Sequence, residues 1–564
     1  MEYDLIIRGG TVVDGSGAPG FRADVGIAHG NIVSMGRLGG RAKRVIDAEG
    51  HVVAPGIIDV HTHMDAQVSW DAIGTPSCWL GVTTVVMGNC GFTLAPVREP
   101  ERDFVLRSFE RAEDIAMNTM RAGIDWGWES FPEFLDWLEA LPKGINYCGY
   151  VGHSALRTYA MGQRAFTEKA TNEDVAEMCR LLEEALHAGA WGLSTTRSTN
   201  HALMNDGPVP SRVGDWEELR ALVCRMGEVG VGMFELAPEW TNNDPERTRS
   251  HFHQLRDLAV ESGRPITMAC GQREPLGWSH FAKFFDEVAE FGGRAYGQVG
   301  TREQTNILGF RLSLPFDRLP LWKEVRTGSL EQQRASLMDP SLRQRLVDEA
   351  MNASYKFTVS AEPHPPKYEF INVLDSPEGP WRSVAEMAVE RGTTPVDVMI
   401  DLSLDSNFAL LFGQVIANFD RQQLRDMLTH PRTLIGDSDA GAHVSQLCDA
   451  SFYVSLFSDW VRRSEIFTIE EAVRMCSFDP ARMWGFHDRG LVAQGCVADL
   501  MIFDPEEIAP LMPEVVHDLP AGNKRLLQKA KGILATVVSG EVLIENGEHT
   551  GALPGQLVRS PSAS

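Results

Sequence analysis

The sequence predicts an α/β chain: a (β/α)8 TIM-type barrel with a small composite β-domain formed by both chain termini. Three observations carry that expectation. Across the middle of the chain, short apolar β runs alternate with amphipathic helical stretches, the pattern of parallel βα units. Eight such runs can be placed, the number a TIM-type barrel requires. At both ends, by contrast, β-like runs alternate with glycine turns.

At the N-terminus these runs are Asp4 to Arg8, Thr11 to Asp14, Ala23 to Ala28, Asn31 to Met35 and Val45 to Asp47; at the C-terminus they are Ala498 to Phe503 and Ile533 to Ile544. Neither end alone has enough strands to bury a good core, so the two are joined into one sheet. The expected division is residues 1–54 and 486–564 for the β-domain and 55–485 for a catalytic barrel with long loop insertions.

The first barrel strand is Ile57 to Val60, opened by Pro55-Gly56 and short and β-branched enough to be fully buried. The stretch Gly81 to Gly91 supplies the second. The remaining six are Ile145 to Val151, Trp191 to Thr195, Gly230 to Glu235, Pro265 to Cys270, Arg294 to Val299 and Thr433 to Gly436. Asn172 to Ala188 typifies the helices between them: Val175, Met178, Leu181, Leu182 and Ala185 fall at helical spacing, and Gly189 ends the run. The connections 91–145 and 300–432 are too long to be simple loops and are expected to roof the active site.

Of the 564 residues 43% are apolar and 23% charged, an ordinary composition for a globular protein, and the length calls for one large and one small domain. A net charge of -25 argues against nucleic acid or an anionic membrane surface as partner, since both demand basic patches. Nine scattered cysteines without a CxxC pair indicate a reduced, cytoplasmic chain. No stretch offers eighteen uncharged apolar residues, so no membrane span is expected. The partner is a small-molecule substrate, and a homo-oligomer stays open.

The first barrel strand runs into His61 and His63. Side chains at i and i+2 of a strand share a face, so both imidazoles can reach one cation. The stretch Pro55-Gly56-Ile57-Ile58-Asp59-Val60-His61-Thr62-His63 resembles the first barrel strand of the amidohydrolase superfamily, in which both histidines bind a catalytic metal. Gly81 to Gly91, with its Gly88-Asn89-Cys90-Gly91 end, resembles the second strand of the D-aminoacylase (N-acyl-D-amino-acid deacylase) branch, which implies that Cys90 is a ligand. Ile435 to His443 resembles the strand-eight Ser-Asp motif and maps its aspartate, a metal-edge acid/base, onto Asp439. Asp437 is the competitor and fits a turn or helix-cap residue better. Val151 to Arg157 resembles the strand-three Gly-His segment, placing His153 in the pocket as a catalytic candidate. Gly192 to Arg197 resembles the Gly-Leu-Ser-Thr run, which gives Ser194 to substrate binding.

A divalent metal lowers the pKa of a bound water to near ~7 and polarises a scissile carbonyl. Zinc suits histidine, thiolate and carboxylate donors. Arg157, Arg197 and Arg302 could each hold a substrate carboxylate by a bidentate pair. The D-aminoacylase pattern places histidines at strands five and six, but this chain has Glu235 and Cys270 there. They are the remaining candidate ligands. One tight zinc is expected rather than two, because His61, His63, Cys90 and Asp439 already supply up to four donors, and further buried anions are costly.

The resemblance therefore implies a zinc-dependent hydrolase cleaving a C–N amide bond of an N-acyl amino acid or related small amide. The alternatives are hydrolysis of a cyclic amide, carbamate or ester in the same barrel, or a metal-bearing, non-catalytic binding protein.

Overall fold

The computed structural model describes residues 2–239, 244–272, 277–355, 358–359 and 361–561. Its centre is two arcs of parallel strands. One consists of Ile57–Asp59, Val82–Met87 and Asn146–Gly149; the other runs in the order Val151–Gly152, Gly192–Thr196, Met233–Ala237, Ile266–Ala269, Ala295–Val299 and Thr433–Ile435. The expected third strand is thus two short strands either side of Tyr150, and it carries the chain from one arc to the other. On the opposite side the arcs approach through a single parallel bridge between Thr62 and Ala440, where the His63 N–H donates to the Ala440 carbonyl at 2.8 Å.

The six-residue run placed at Gly230 begins later, at Met233. Gly230 is the left-handed cap, φ 86°, that ends the helix Trp216–Val229, so it cannot also open a strand. Helix Asn172–Ala188 follows its expected bounds. Thr171 and Asp174 form a capping box at its start, Gly189 terminates it at φ 109°, and Met178, Leu181, Leu182 and Ala185 face the core.

Both termini enter one sheet. Its strands run in the order Glu548–His549, Glu541–Glu545, Ile533–Val538, Leu500–Phe503, Val52–Pro55, Glu2–Val12, Phe21–Ala28 and Asn31–Gly36, with Arg41–Asp47 also paired to Glu2–Val12. The seam is the antiparallel pairing of Leu500–Phe503 with Val52–Pro55, immediately before the first central strand. Ile7, Val25, Ile27, Val53, Leu500, Ile502 and Val537 form its apolar layer. A buried ion pair, Arg489 with Asp499 at 3.0 Å, fixes this sheet to the centre, because Asn146 also donates to Asp499 at 2.9 Å.

The described parts of the long insertions form helices and strands. Residues 300–432 carry a three-stranded antiparallel sheet, Gln304–Leu308, Ile371–Leu374 and Leu411–Ala417, covered by helices and closed over their own core around Trp322, Phe310 and Phe412. Each buried aliphatic or aromatic side chain there contributes about 1.5–3 kcal/mol, enough for the insertion to hold a fixed shape. Helix Arg102–Ala112 lies in the other insertion and ends directly before Glu113.

Candidate metal centre

The site is assembled where the first two strands and the last one end. His61 and His63, each 1% exposed, project from the residues after Ile57–Asp59. Asn89 donates its side-chain amide to the carbonyls of Thr62 and Val86, both at 3.0 Å, and so ties the ends of the first two strands together. The turn after Val82–Met87 then places Cys90 in the left-handed region, φ 55°. A non-glycine residue held there costs of order 1–3 kcal/mol, which the surrounding bonds must hold in place. Here they do: Ser194 Oγ accepts from the Gly91 N–H at 3.0 Å and donates to the Gly88 carbonyl, while Glu235 Oε2 accepts from the Cys90 N–H at 2.7 Å.

Asp439 follows Thr433–Ile435 and also has positive φ, 51°. Gly441, two residues on, has φ 95°, and any Cβ there would lie 2.7 Å from the His63 carbonyl group, so glycine is required for this close approach. Ser438 donates to Asp59 Oδ2 at 2.5 Å, locking the last strand's loop to the first strand.

The donor atoms of His61, His63 and Cys90 all lie within 4.8 Å of one another, as do those of His61, Asp437 and Asp439. Asp439 Oδ1 is 3.3 Å from His61 Nε2 and 3.5 Å from His63 Nε2. Gln298 Oε1 lies 2.5 Å from His61 Nδ1, which leaves Nε2 facing the other donors. Glu113 Oε2 is 3.7 Å from His63 Nε2 and 3.9 Å from His443 Nε2. His61, His63, Cys90, Glu113, Asp437, Asp439 and His443 line a cavity of about 130 Å³ together with Ser198, Asn200, His201, Cys270, Gln304 and Asn418.

The electrostatics favour a cation in this spot. Burial works against a charge on His63, but Glu113 and the hydrogen-bonded Asp439 outweigh it and raise its pKa to about 9. Burial also pushes Asp439 upward, yet the His63 hydrogen bond and the charges of His61 and His443 hold it well below the usual carboxylate range. Burial raises Glu113 to about 7 and Glu235 to about 8, and lowers His61 to about 4. His63 Nδ1, both Glu113 oxygens and Glu235 Oε1 are buried without hydrogen-bond partners. A divalent ion among these donors would replace the proton that the carboxylates otherwise stabilise on His63. The donor set, two imidazoles, a thiol and a carboxylate, fits zinc.

The structure brings together His61, His63, Cys90 and Asp439, with Cys270 also on the cavity wall. Burial, with the Asp437 charge adding to it, pushes the Cys270 thiol far up, as burial does for Cys90, but Cys270 belongs to neither donor group. Glu235 lies behind Cys90 and braces its backbone.

Other expectations are corrected. His153 is not on the cavity wall: Nε2 pairs with Glu218 Oε1 at 2.7 Å and Nδ1 with Thr195 Oγ1 at 2.9 Å, so the ring is fully engaged in the packing. Arg157 is completely buried and pairs with the same Glu218, donating also to the carbonyls of Ala165 and Glu168. Ser194 braces the Cys90 turn. Arg197 donates to the Gly214 carbonyl, and Arg302 to the Cys448 carbonyl beside Asp449. None of these three arginines lines the cavity. Asp437, read as a turn residue, does line it, at φ 80° and 4.0 Å from His61 Nδ1.

Sequence reasoning missed Glu113, His201 and His443. His443 lies four residues beyond Asp439 within the same stretch and was findable there. Glu113 sits in an insertion with no motif around it; it is placed by the His443 N–H donating to its carbonyl and by Ser445 donating to Asp114 Oδ2 at 2.9 and 2.7 Å.

The profile of the Amidohydrolase family matches residues 44–544. D-aminoacylase of Alcaligenes xylosoxydans xylosoxydans is 26% identical over 100% of this chain and 99% of its own length. N-acyl-D-aspartate deacylase of the same organism is 27% identical over 99% of this chain and 95% of its own. A crystal structure of D-aminoacylase superimposes with a TM-score of 0.66 at 24% identity, covering 99% of this chain and 100% of that one. N-acyl-D-glutamate deacylase from Bordetella bronchiseptica, complexed with zinc and a phosphonate inhibitor, does so at 0.64 and 24%, with the same coverage. The chain belongs to the amidohydrolase family.

Proposed function

We propose that this chain is a zinc-dependent hydrolase that cleaves the C–N amide bond of an N-acyl amino acid or a related small amide. The observation that carries the reading is the convergence of His61, His63 and Cys90 within 4.8 Å at the ends of two adjacent parallel strands, with Asp439 Oδ1 3.3 and 3.5 Å from the two imidazoles. The names of the relatives and the zinc bound to the Bordetella neighbour support it. We read the two arcs as one eight-stranded barrel, whose strand ends are where such folds carry their chemistry. With all nine cysteines unpaired, we retain a cytoplasmic setting.

His61, His63 and Cys90 would hold the ion, with Asp439 at its edge. When bound, the ion supplies Lewis acidity that acidifies water and polarises the scissile carbonyl. Asp439 Oδ1 takes the proton lost by the attacking water and returns it to the departing nitrogen, so one carboxylate serves as base and then acid. Gln298 fixes which nitrogen of His61 faces the site. Glu235 and Ser194 keep the Cys90 turn in its left-handed conformation.

The test is release of free amine by the zinc-loaded protein from N-acyl-D- and L-amino acids, the corresponding amides and simple esters. Amine release abolished by chelation and restored by zinc is expected. Zinc binding without hydrolysis of any amide or ester would favour the binding-protein reading.

A further inference from the structure

The loop after Gly192–Thr196 places a histidine on the cavity wall that belongs to neither donor group. His201 is held on three sides. Its carbonyl accepts from Arg212 at 2.8 Å, its ring packs edge-on against Phe92 with centroids 5.3 Å apart, and Nδ1 lies 2.7 Å from Thr196 Oγ1. Two of these contacts tie it to the Cys90 turn: Phe92 follows that turn directly, and a Cβ on Gly91 would lie 3.3 Å from the Thr196 nitrogen. Beyond burial itself, the ring is acted on by His443, His63 and Asp439 of the metal site and by Arg212.

Hydrogen bonding decides which ring nitrogen carries the proton. Thr196 is fully buried, and its Oγ1 already accepts from the Ser198 N–H at 3.1 Å. A buried hydroxyl needs an acceptor, and among the described residues the one within reach is His201 Nδ1. Thr196 therefore donates to Nδ1, which puts the ring hydrogen on Nε2. No described residue receives that N–H, and, unlike His63 Nδ1, it is not sealed away from the cavity. The N–H is present in the neutral ring, so the histidine need not be charged to offer it.

Resting on the hydrolase reading above, we infer that His201 is a catalytic residue that donates its Nε2–H to the oxygen of the scissile acyl group, with Thr196 as the positioning residue that sets its tautomer. When the water oxygen bonds to the acyl carbon, the carbonyl π pair moves onto the acyl oxygen. It returns to carbon as the C–N bond breaks and the nitrogen takes its proton from Asp439. A fixed, uncharged donor in a buried cavity acts most strongly while that charge is on the oxygen, so it stabilises the transition state more than the bound substrate. Anchoring selects the acyl oxygen over a distant part of the substrate. The ring is fixed through Phe92 and Thr196 to the turn that carries Cys90, and the reacting carbon has to lie beside that ligand and Asp439.

The experiment measures kcat and KM on the zinc-loaded protein with the fastest-cleaved of N-acetyl-D-leucine, N-acetyl-L-leucine and their amides, and zinc content on every sample. His201→Leu should lower kcat about 10²–10³-fold with KM and zinc content unchanged. His201→Gln, whose side-chain amide can offer an N–H from nearly the same place, should recover part of that rate. Thr196→Val, which releases the tautomer, should lower kcat less than His201→Leu does, and Thr196→Ser should restore it. Calorimetry with the N-methylphosphonyl form of the same leucine compound, whose charged tetrahedral group stands where the acyl carbon reacts, gives a readout apart from turnover: His201→Leu should weaken its binding by about the factor lost in kcat. A raised KM at constant kcat would overturn the inference and assign His201 to a part of the substrate that does not react. Loss of zinc from His201→Leu would make His201 a ligand and overturn it too. Unaltered kcat and phosphonyl binding in His201→Leu would sink the inference alone, whereas no amine release by the wild-type protein from any of the four compounds would sink the hydrolase reading and the inference with it.

Discussion

The His61–His63–Cys90 cluster and the His153–Glu218–Arg157 cluster are built from similar side chains and are equally withdrawn from solvent, with all three histidines 1% exposed. They differ in whether their imidazole and carboxylate atoms are matched. Both nitrogens of His153 and both oxygens of Glu218 have partners inside the protein, and of the Arg157 guanidinium only Nε has none. Around the first cluster, His63 Nδ1, both oxygens of Glu113 and one of Glu235 have none, and the group opens on a cavity. Buried polar atoms left without partners require an explanation, and an ion or substrate supplies it. Burial of a histidine beside a carboxylate therefore does not distinguish chemistry from architecture; whether the imidazole and carboxylate atoms themselves are all paired does.

That contrast can be broken most forcefully at Asp439. Asp439→Asn removes the proton carrier from the open cluster and should lower kcat by about 10²–10⁴, with circular dichroism and zinc content unchanged. If Asp437→Asn is the damaging variant instead, the acid/base role lies two residues earlier. The closed cluster should respond in stability rather than chemistry. Glu218→Ala leaves Arg157 buried without its counter-charge and should cost about 3–5 kcal/mol in denaturant unfolding, while folded protein keeps its zinc. Loss of zinc at unchanged stability would move His153 back into the site.

Smaller effects sharpen the boundary between ligand and support. Gln298→Ala frees the outer nitrogen of His61 and should weaken zinc affinity about 10–100-fold, measured by competition with a chelator. Cys270→Ser should leave zinc content unchanged, because that thiol joins neither donor group. A lost zinc there would show that the wall cysteine is a ligand.

The open cluster was legible where its pattern is local. His61 and His63 are two residues apart at a strand end, so strand geometry alone puts them on one face. Resemblance added Cys90 and Asp439, whose left-handed conformations no spacing rule announces. The terminal sheet was legible because neither end could bury a core alone. His153 was misplaced for the opposite reason: its partner Glu218 is 65 residues away, and a Gly-His pair gives no sign of it. The three arginines failed likewise, since what commits a guanidinium is usually a distant carbonyl or carboxylate. Glu113 lay out of reach because it arrives from an insertion and is positioned by the loop after the last central strand.

Zinc content of protein purified without added metal tests the central claim most directly. The account predicts about one tightly held zinc per chain, retained in Glu235→Gln and lost when His61 and Cys90 are both replaced by alanine. Close to two zinc per chain, falling to one in Glu235→Gln, would contradict it and make Glu235 a ligand rather than the brace behind Cys90.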